Sequence, residues 1–166
     1  MSSSLSSVDS MVVSDTGPLL ALARIECIFL LAELFGQCWV TQSVVNECLA
    51  KPESEDALRV QLALDQAILR CVPDTAPRQS LLSLDAGEAT AIELALRKRC
   101  GVLIDEKRGR KLAQEHGVKI VGTVGVLLLA HQQGLLPDLK LTLLRLKLVY
   151  YLSDQLIQRA MELASE

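Results

Sequence analysis

The sequence predicts an α/β protein with a central parallel sheet of about five strands covered on both faces. Two observations carry this. Five short apolar segments rich in Val and Ile alternate with longer stretches of helical spacing: Met11 to Ser14, Cys38 to Val40, Leu69 to Val72, Val102 to Ile104 and Lys119 to Val121. That is the pattern of βα units whose strands are covered on both faces. Two of these strands deliver a carboxylate, Asp15 and Asp105, directly before a helical stretch. Sheets of this class bind ligands outside the carboxyl ends of their strands.

Taken in order, the strand ending in Ser14-Asp15 is followed by Thr16-Gly17-Pro18 and an apolar run from Leu19 to Ile25. Thr16 is expected to cap a helix over Gly17 to Ile25, with Gly17 and Pro18 in the first turn, where a missing N–H does no harm. Asp15 then either favours the positive end of that helix or serves as a ligand. The next strand leads into a helix over Gln42 to Ala50. Its Glu47 is spaced from Val44 and Cys48 so as to lie on the flank of the apolar stripe. A carboxylate there either reaches water or, if aimed inward, needs a partner, a proton or a metal.

A helix over Ala57 to Ile68 precedes the third strand, and Pro73 to Leu84, with Pro73 and Pro77, reads as a loop. The helix expected from Ala86 to Arg99 opens on Asp85-Ala86-Gly87-Glu88. This is the spacing of a capping box, in which Glu88 would bond back to the helix start. Ala86, Gly87, Ala89 and Ala91 are small enough for that helix start to approach a sheet or a ligand closely. Asp105 repeats the geometry of Asp15, and two such strands side by side would bring both side chains to one edge. Glu106 is either an accessory ligand or a solvated neighbour. Helices are expected over Gly109 to His116 and Val124 to Gln133, with Gly117 and Gly134 at their stops. Leu139 to Tyr151 is ambiguous with helix favoured, because Leu144 to Leu148 alternates like a strand, and Ser153 to Glu166 is helical.

Composition narrows the function. A chain of 166 residues suits one domain, 11 to 166, with the Ser-rich residues 1 to 10 expected to be a disordered tail. Half of the residues are hydrophobic but only 3% are aromatic, so the core must be aliphatic, with apolar surface left for a partner. No apolar run reaches the roughly 18 residues of a membrane span, and the first ten residues lack the features of a signal peptide. The five cysteines are widely spaced without a C-x-x-C pair, and are expected to be reduced core residues of a soluble, cytoplasmic protein. A net charge of -3 gives no global pull toward nucleic acid. Any polyanion must be met locally, for which Lys107, Arg108, Arg110 and Lys111 are the candidates for backbone phosphate contacts. His116 and His131 fall late in helices, which leaves no Ser-His or Cys-His pair for nucleophilic catalysis.

With these residues in view, the chain resembles the PIN-domain family, in particular the VapC-like toxin nucleases of prokaryotic toxin–antitoxin pairs. The matching pieces are V-V-S-D-T-G-P-L-L-A-L-A from Val12, V-T-Q-S-V-V-N-E from Val40, L-D-A-G-E-A-T-A-I-E-L-A from Leu84, L-I-D-E-K-R-G-R-K-L-A from Leu103 and V-G-T-V-G-V-L-L-L-A from Val121. The resemblance implies a three-layer αβα PIN-like fold around the parallel sheet and a ribonuclease dependent on Mg²⁺ or Mn²⁺. Asp15, Glu47, Glu88 and Asp105 would be the acidic metal ligands, and Thr16, Thr123 and Glu106 supporting residues. Glu88 stands where many relatives carry Asp. The expected partners are an RNA substrate, a small antitoxin protein and a second copy of the chain, with no membrane. Hard divalent cations suit such oxygen ligands and would activate a water against phosphate. The alternative from another class is a catalytically silent PIN-like scaffold acting as a protein interaction module. Aspartic protease chemistry through Asp15-Thr16-Gly17 is excluded by the helical run that follows. An aspartyl phosphatase would need an Asp where Gly17 stands.

Overall fold

The computed structural model describes residues 11–166, so the Ser-rich tail expected over residues 1 to 10 lies outside the described residues. The chain runs β1 (Val12–Ser14), α1 (Thr16–Arg24), α2 (Leu30–Phe35), β2 (Cys38–Thr41), α3 (Gln42–Cys48), α4 (Glu55–Asp65) and β3 (Leu69–Val72). It continues through a 3₁₀ turn (Gln79–Leu81), α5 (Ala86–Lys98), β4 (Gly101–Leu103), α6 (Lys107–Glu115), β5 (Ile120–Val121), α7 (Thr123–Gln132), α8 (Leu139–Val149) and α9 (Asp154–Ala164). The five strands form one sheet in the order β3-β2-β1-β4-β5, and every pairing is parallel. The predicted α/β class and strand number are therefore found.

The strand order reverses at β1. After β1 the chain moves outward through β2 and β3, then returns to place β4 on the other side, with Val12, Val13 and Ser14 opposite Gly101, Val102 and Leu103. The carboxyl ends of β1 and β4 thus flank the switch point of the sheet, the place where open α/β sheets hold ligands. Asp15 and Asp105 follow these two ends, and the Asp15 amide donates to Leu103 O at 2.9 Å.

The core is aliphatic, as the composition requires. Val13, Val40 and Val102 are fully buried at the centre of the sheet, with Leu22, Leu31, Ile92, Leu103 and Leu127 among the enclosed side chains. Helix α5 packs on β1, β2 and β4 and also against α3. Every residue from Gly87 to Ala95 is buried, so this helix has no wet stripe along its middle and carries Glu88 and Glu93 inside with it. Glu93 is neutralised in place by Arg78, whose Nε and Nη2 reach its two oxygens at 2.9 and 2.8 Å, and by Arg97 at 3.0 Å.

Several local expectations need correction. Thr16 is not the cap of α1: Asp15 occupies the N-cap position and Thr16 is the first helical residue. Helix α2 had no sequence expectation, being a single six-residue apolar stretch. Cys71 is exposed and Cys100 half-buried, so only Cys27, Cys38 and Cys48 are core thiols. The reason is position: β3 is an edge strand, and its Arg70 and Cys71 face water. Leu139 to Tyr151 resolves into α8, whose Leu139, Leu143 and Leu146 are buried while Leu144 and Leu148 are exposed. Gly117 and Gly134 take the left-handed backbone expected after helix ends, at φ 78° and 77°. Among the described residues no helix is long and apolar enough to cross a membrane.

Candidate active site

A cleft of about 920 Å³ opens over the carboxyl ends of β1 and β4, and its walls carry Asp15, Glu47, Glu88 and Asp105 together. Asp15 is positioned by the end of β1, and its side chain makes no capping hydrogen bond to α1. The carboxylate is buried, and Oδ1 has no hydrogen-bond partner. Burial raises its pKa from 3.8 to about 7; the Thr16 amide opposes the shift, and the charges of Glu88, Asp85 and Glu47 add to it. Helix capping therefore does not account for Asp15.

Glu88 reaches the cleft from the first turn of α5. Asp85 is the true cap, accepting from the Glu88 amide at 2.8 Å. The capping spacing is thus used, yet Glu88 Oε2 remains buried without a partner. Burial, then the charges of Asp85 and Glu106, raise the Glu88 pKa from 4.5 to about 7. Helix α6 approaches this oxygen through Gly109. A Cβ there would stand 3.0 Å from Glu88 Oε2 and 2.5 Å from Ile104 Cδ1, so only glycine allows the approach.

Glu47 is built differently. It lies in the last turn of α3 and not at a helix start, and it is exposed. Its oxygens are occupied: Thr16 Oγ1 donates to Oε1 at 2.7 Å and the Gly87 amide to Oε2 at 3.0 Å. A Cβ at Gly87 would lie 2.6 Å from both oxygens, so the glycine is what lets α5 start against Glu47. Glu47 thereby ties α1, α3 and α5 together at the cleft wall.

Asp105 is the most fully bonded of the four. Oδ1 accepts from the Thr123 amide at 2.8 Å, and Oδ2 accepts from Thr123 Oγ1 and from the Tyr150 hydroxyl, each at 2.6 Å. Thr123 opens α7 directly after β5, so the hydroxyl singled out in the sequence meets Asp105 from the neighbouring strand. Burial, then the hydrogen bond to Asp105, push the Tyr150 hydroxyl well above its usual range, so it stays a neutral donor.

Of the basic candidates, Arg110 lines the cleft and donates to Ile104 O at 3.0 Å. Lys107, Arg108 and Lys111 are exposed on α6 and do not line it, and Glu106 sits at the rim as the exposed N-cap of α6. The lining residues that the sequence did not mark as site residues include Asp85, Tyr150 and Arg159. Asp85 was visible only as a cap. Tyr150 and Arg159 belong to the C-terminal α8–α9 segment, which nothing in the local sequence places over the sheet.

Comparisons with known proteins agree with this architecture. Residues 11–166 match the DUF3368 family, described as a PIN domain. No curated protein matches the chain. Among solved structures, the chain is similar to a PilT N-terminus domain protein from the hyperthermophilic archaeon Sulfolobus solfataricus P2, with a TM-score of 0.52 and 16% identity over 70% of this chain and 89% of that one. At that identity the likeness speaks for the fold alone. With the family spanning every described residue and the carboxylates gathered at the switch point of the sheet, the chain belongs to the PIN-domain family, whose fold is typically that of a nuclease.

Proposed function

We propose that this protein is a divalent-metal-dependent endoribonuclease, the toxin of a toxin–antitoxin pair acting in the cytoplasm. The observation that carries the enzymatic reading is the pair of buried carboxylate oxygens without partners, Asp15 Oδ1 and Glu88 Oε2, in one cleft. Buried polar atoms are nearly always bonded, so two orphans on the wall of one cleft point to an absent ligand. Burial, with the charges of neighbouring carboxylates adding to it, raises both groups to a pKa of about 7, and a bound cation would offset both effects.

The donor set is all oxygen, which fits Mg²⁺ or Mn²⁺. Among the described residues no group of three or more His, Cys, Asp or Glu side chains forms a ready-made cage. Mg²⁺ is commonly held by one or two carboxylates, with water and substrate phosphate completing its shell. Asp15 and Glu88 would hold the ion, and Asp105 beside them would add one oxygen. When bound, the ion supplies charge neutralisation at phosphate and a more acidic water. The chain's own part is to fix the carboxylates. Thr123 and Tyr150 hold Asp105, Thr16 and Gly87 hold Glu47, and Gly109 admits α6 against Glu88. Arg110 and Arg159 give the cleft two cations to set against an RNA backbone, and Lys107, Arg108 and Lys111 lie outside it to receive the strand beyond. Tyr151 and Leu156, exposed at the cleft wall, offer apolar footing to a small antitoxin segment or to a second copy of the chain.

The test compares wild type with Asp15→Ala on a panel of structured RNAs in Mn²⁺, with and without EDTA. Wild type should cleave in Mn²⁺ alone, and the variant should be slower by on the order of 100-fold or more, the usual scale for removing a group that organises transition-state charge. Equal integrity of the RNA with both proteins across the panel rejects the ribonuclease reading and leaves the silent scaffold.

A further inference from the structure

Asp105 carries three hydrogen bonds, shared unequally between its two oxygens. A carboxylate offers about four lone-pair sites, two on each oxygen. Oδ2 accepts from both Thr123 Oγ1 and the Tyr150 hydroxyl and is full, whereas Oδ1 accepts from the Thr123 amide and keeps one site. Thr123 alone would hold the carboxylate in place, with its amide on one oxygen and its hydroxyl on the other. The Tyr150 hydroxyl therefore changes what Asp105 can still offer, besides steadying it.

The placement of Tyr150 is fixed from several sides. It follows α8 with an extended backbone, φ −150° and ψ 142°. Arg24 of α1 donates to the carbonyl of the preceding Val149 at 3.1 Å, and the Tyr150 ring packs against the core. Gly17 leaves room for the hydroxyl, since a Cβ there would lie 3.1 Å from it. A donor delivered this firmly from a distant helix end is a second anchor on the acidic cleft.

Resting on the metal-dependent reading above, we infer that Tyr150 is a positioning residue that confines Asp105 to one-oxygen ligation and thereby biases the site toward Mg²⁺ or Mn²⁺ over Ca²⁺. The chemistry follows from ion size. Ca²⁺ takes six to eight oxygens in flexible arrangements and readily accepts both oxygens of one carboxylate, while Mg²⁺ demands octahedral geometry from single oxygens. With Oδ2 filled, Asp105 cannot offer the two-oxygen bite. Partners that orient a ligand also govern its affinity, by about 10- to 100-fold on removal.

Tyr150→Phe keeps the ring and deletes only the donor. Mn²⁺ affinity is read by electron paramagnetic resonance of free Mn²⁺ and Ca²⁺ affinity by competition against it, for wild type, Tyr150→Phe and a Ser165→Ala control, which deletes a hydroxyl donor outside the cleft. Tyr150→Phe should weaken Mn²⁺ about 10-fold while Ca²⁺ binds as well as or better than before, lowering the Mn²⁺/Ca²⁺ preference by about 10-fold or more. Ser165→Ala should leave the ratio unchanged. Equal weakening of both ions, or no change in either, overturns the inference and leaves the metal reading intact. Failure of wild type to bind Mn²⁺ at all removes both.

Discussion

Asp15→Asn should make the metal-free protein more stable at pH 8 while removing RNA cleavage. The wild-type carboxyl has a folded-state pKa of about 7 against 3.8 for the free side chain. A raised acid pKa means that the folded state holds the proton more tightly than the unfolded chain. Stability from this group is therefore complete below pH 3.8 and is lost as pH rises through about 7. The gap of roughly three units corresponds to about 4 kcal/mol of charging cost at pH 8. Asparagine avoids that cost but brings an amide needing partners, so a net gain of about 2 kcal/mol is expected, or about 5 °C in melting temperature for a chain of this length. At pH 4 the advantage should be largely gone. Thermal unfolding in EDTA at the two pH values decides it: a variant less stable than wild type at pH 8 would show that burial of this carboxylate is not under strain.

Glu93→Gln should have the opposite pH signature and the larger cost in stability. Glu93 is buried, and its pKa is lowered from 4.5 to about 2, first by the hydrogen bonds from Arg78, with Arg97 contributing, and against the cost of burial. A depressed acid pKa contributes stability that is present above 4.5 and lost as pH falls through about 2. Breaking a buried pair from one side costs about 3 to 5 kcal/mol. Both guanidiniums reach partly into water, which places this case at the lower end, near 3 kcal/mol. The loss has a route to the cleft. Arg78 also donates its backbone amide to Glu93 at 2.9 Å, so the clamp fixes the loop that delivers Asp85 to the start of α5. Urea unfolding at pH 7 should show the deficit and at pH 2 should show it much reduced. A deficit independent of pH would assign the effect to shape and not to charge.

These opposite signatures come from two carboxylates on neighbouring elements, and they show how far the sequence could be read. The fold was legible because the apolar runs have strand length and the carboxylates at their ends mark a parallel sheet. Adjacent pairing of β1 and β4 then makes Asp15 and Asp105 neighbours, a consequence of topology that the repeated strand-carboxylate-helix pattern anticipated. Glu88 was ambiguous for a physical reason: its amide is capped by Asp85 while its side chain is left with an unpartnered oxygen, so structure and chemistry share one turn. Glu47 was visible as a residue on the flank of a helix but not as the acceptor from Thr16 and Gly87, which depends on how three helices meet.

Glu93 and Tyr150 were invisible. A Glu in the middle of a helix looks solvated unless the helix is known to be covered along its length, as α5 is. Tyr150 sits 45 residues after the carboxylate it bonds, beyond a segment whose Leu144 to Leu148 alternation imitates a strand. Cys71 is exposed because its strand lies at the sheet edge, and an apolar run does not reveal whether its strand is central or at an edge.

The central claim is that Asp15 Oδ1 and Glu88 Oε2 are left unpartnered for a divalent cation. Thermal unfolding of wild type, Asp15→Asn and Glu88→Gln at pH 8, with and without Mn²⁺, tests it most directly. A bound ligand at 100 times its dissociation constant stabilises a folded protein by about 2.7 kcal/mol. The melting temperature of wild type should therefore rise by several degrees in Mn²⁺, and those of both variants should stay within about one degree of their metal-free values. Equal rises in all three proteins, or no rise in wild type, would contradict the account.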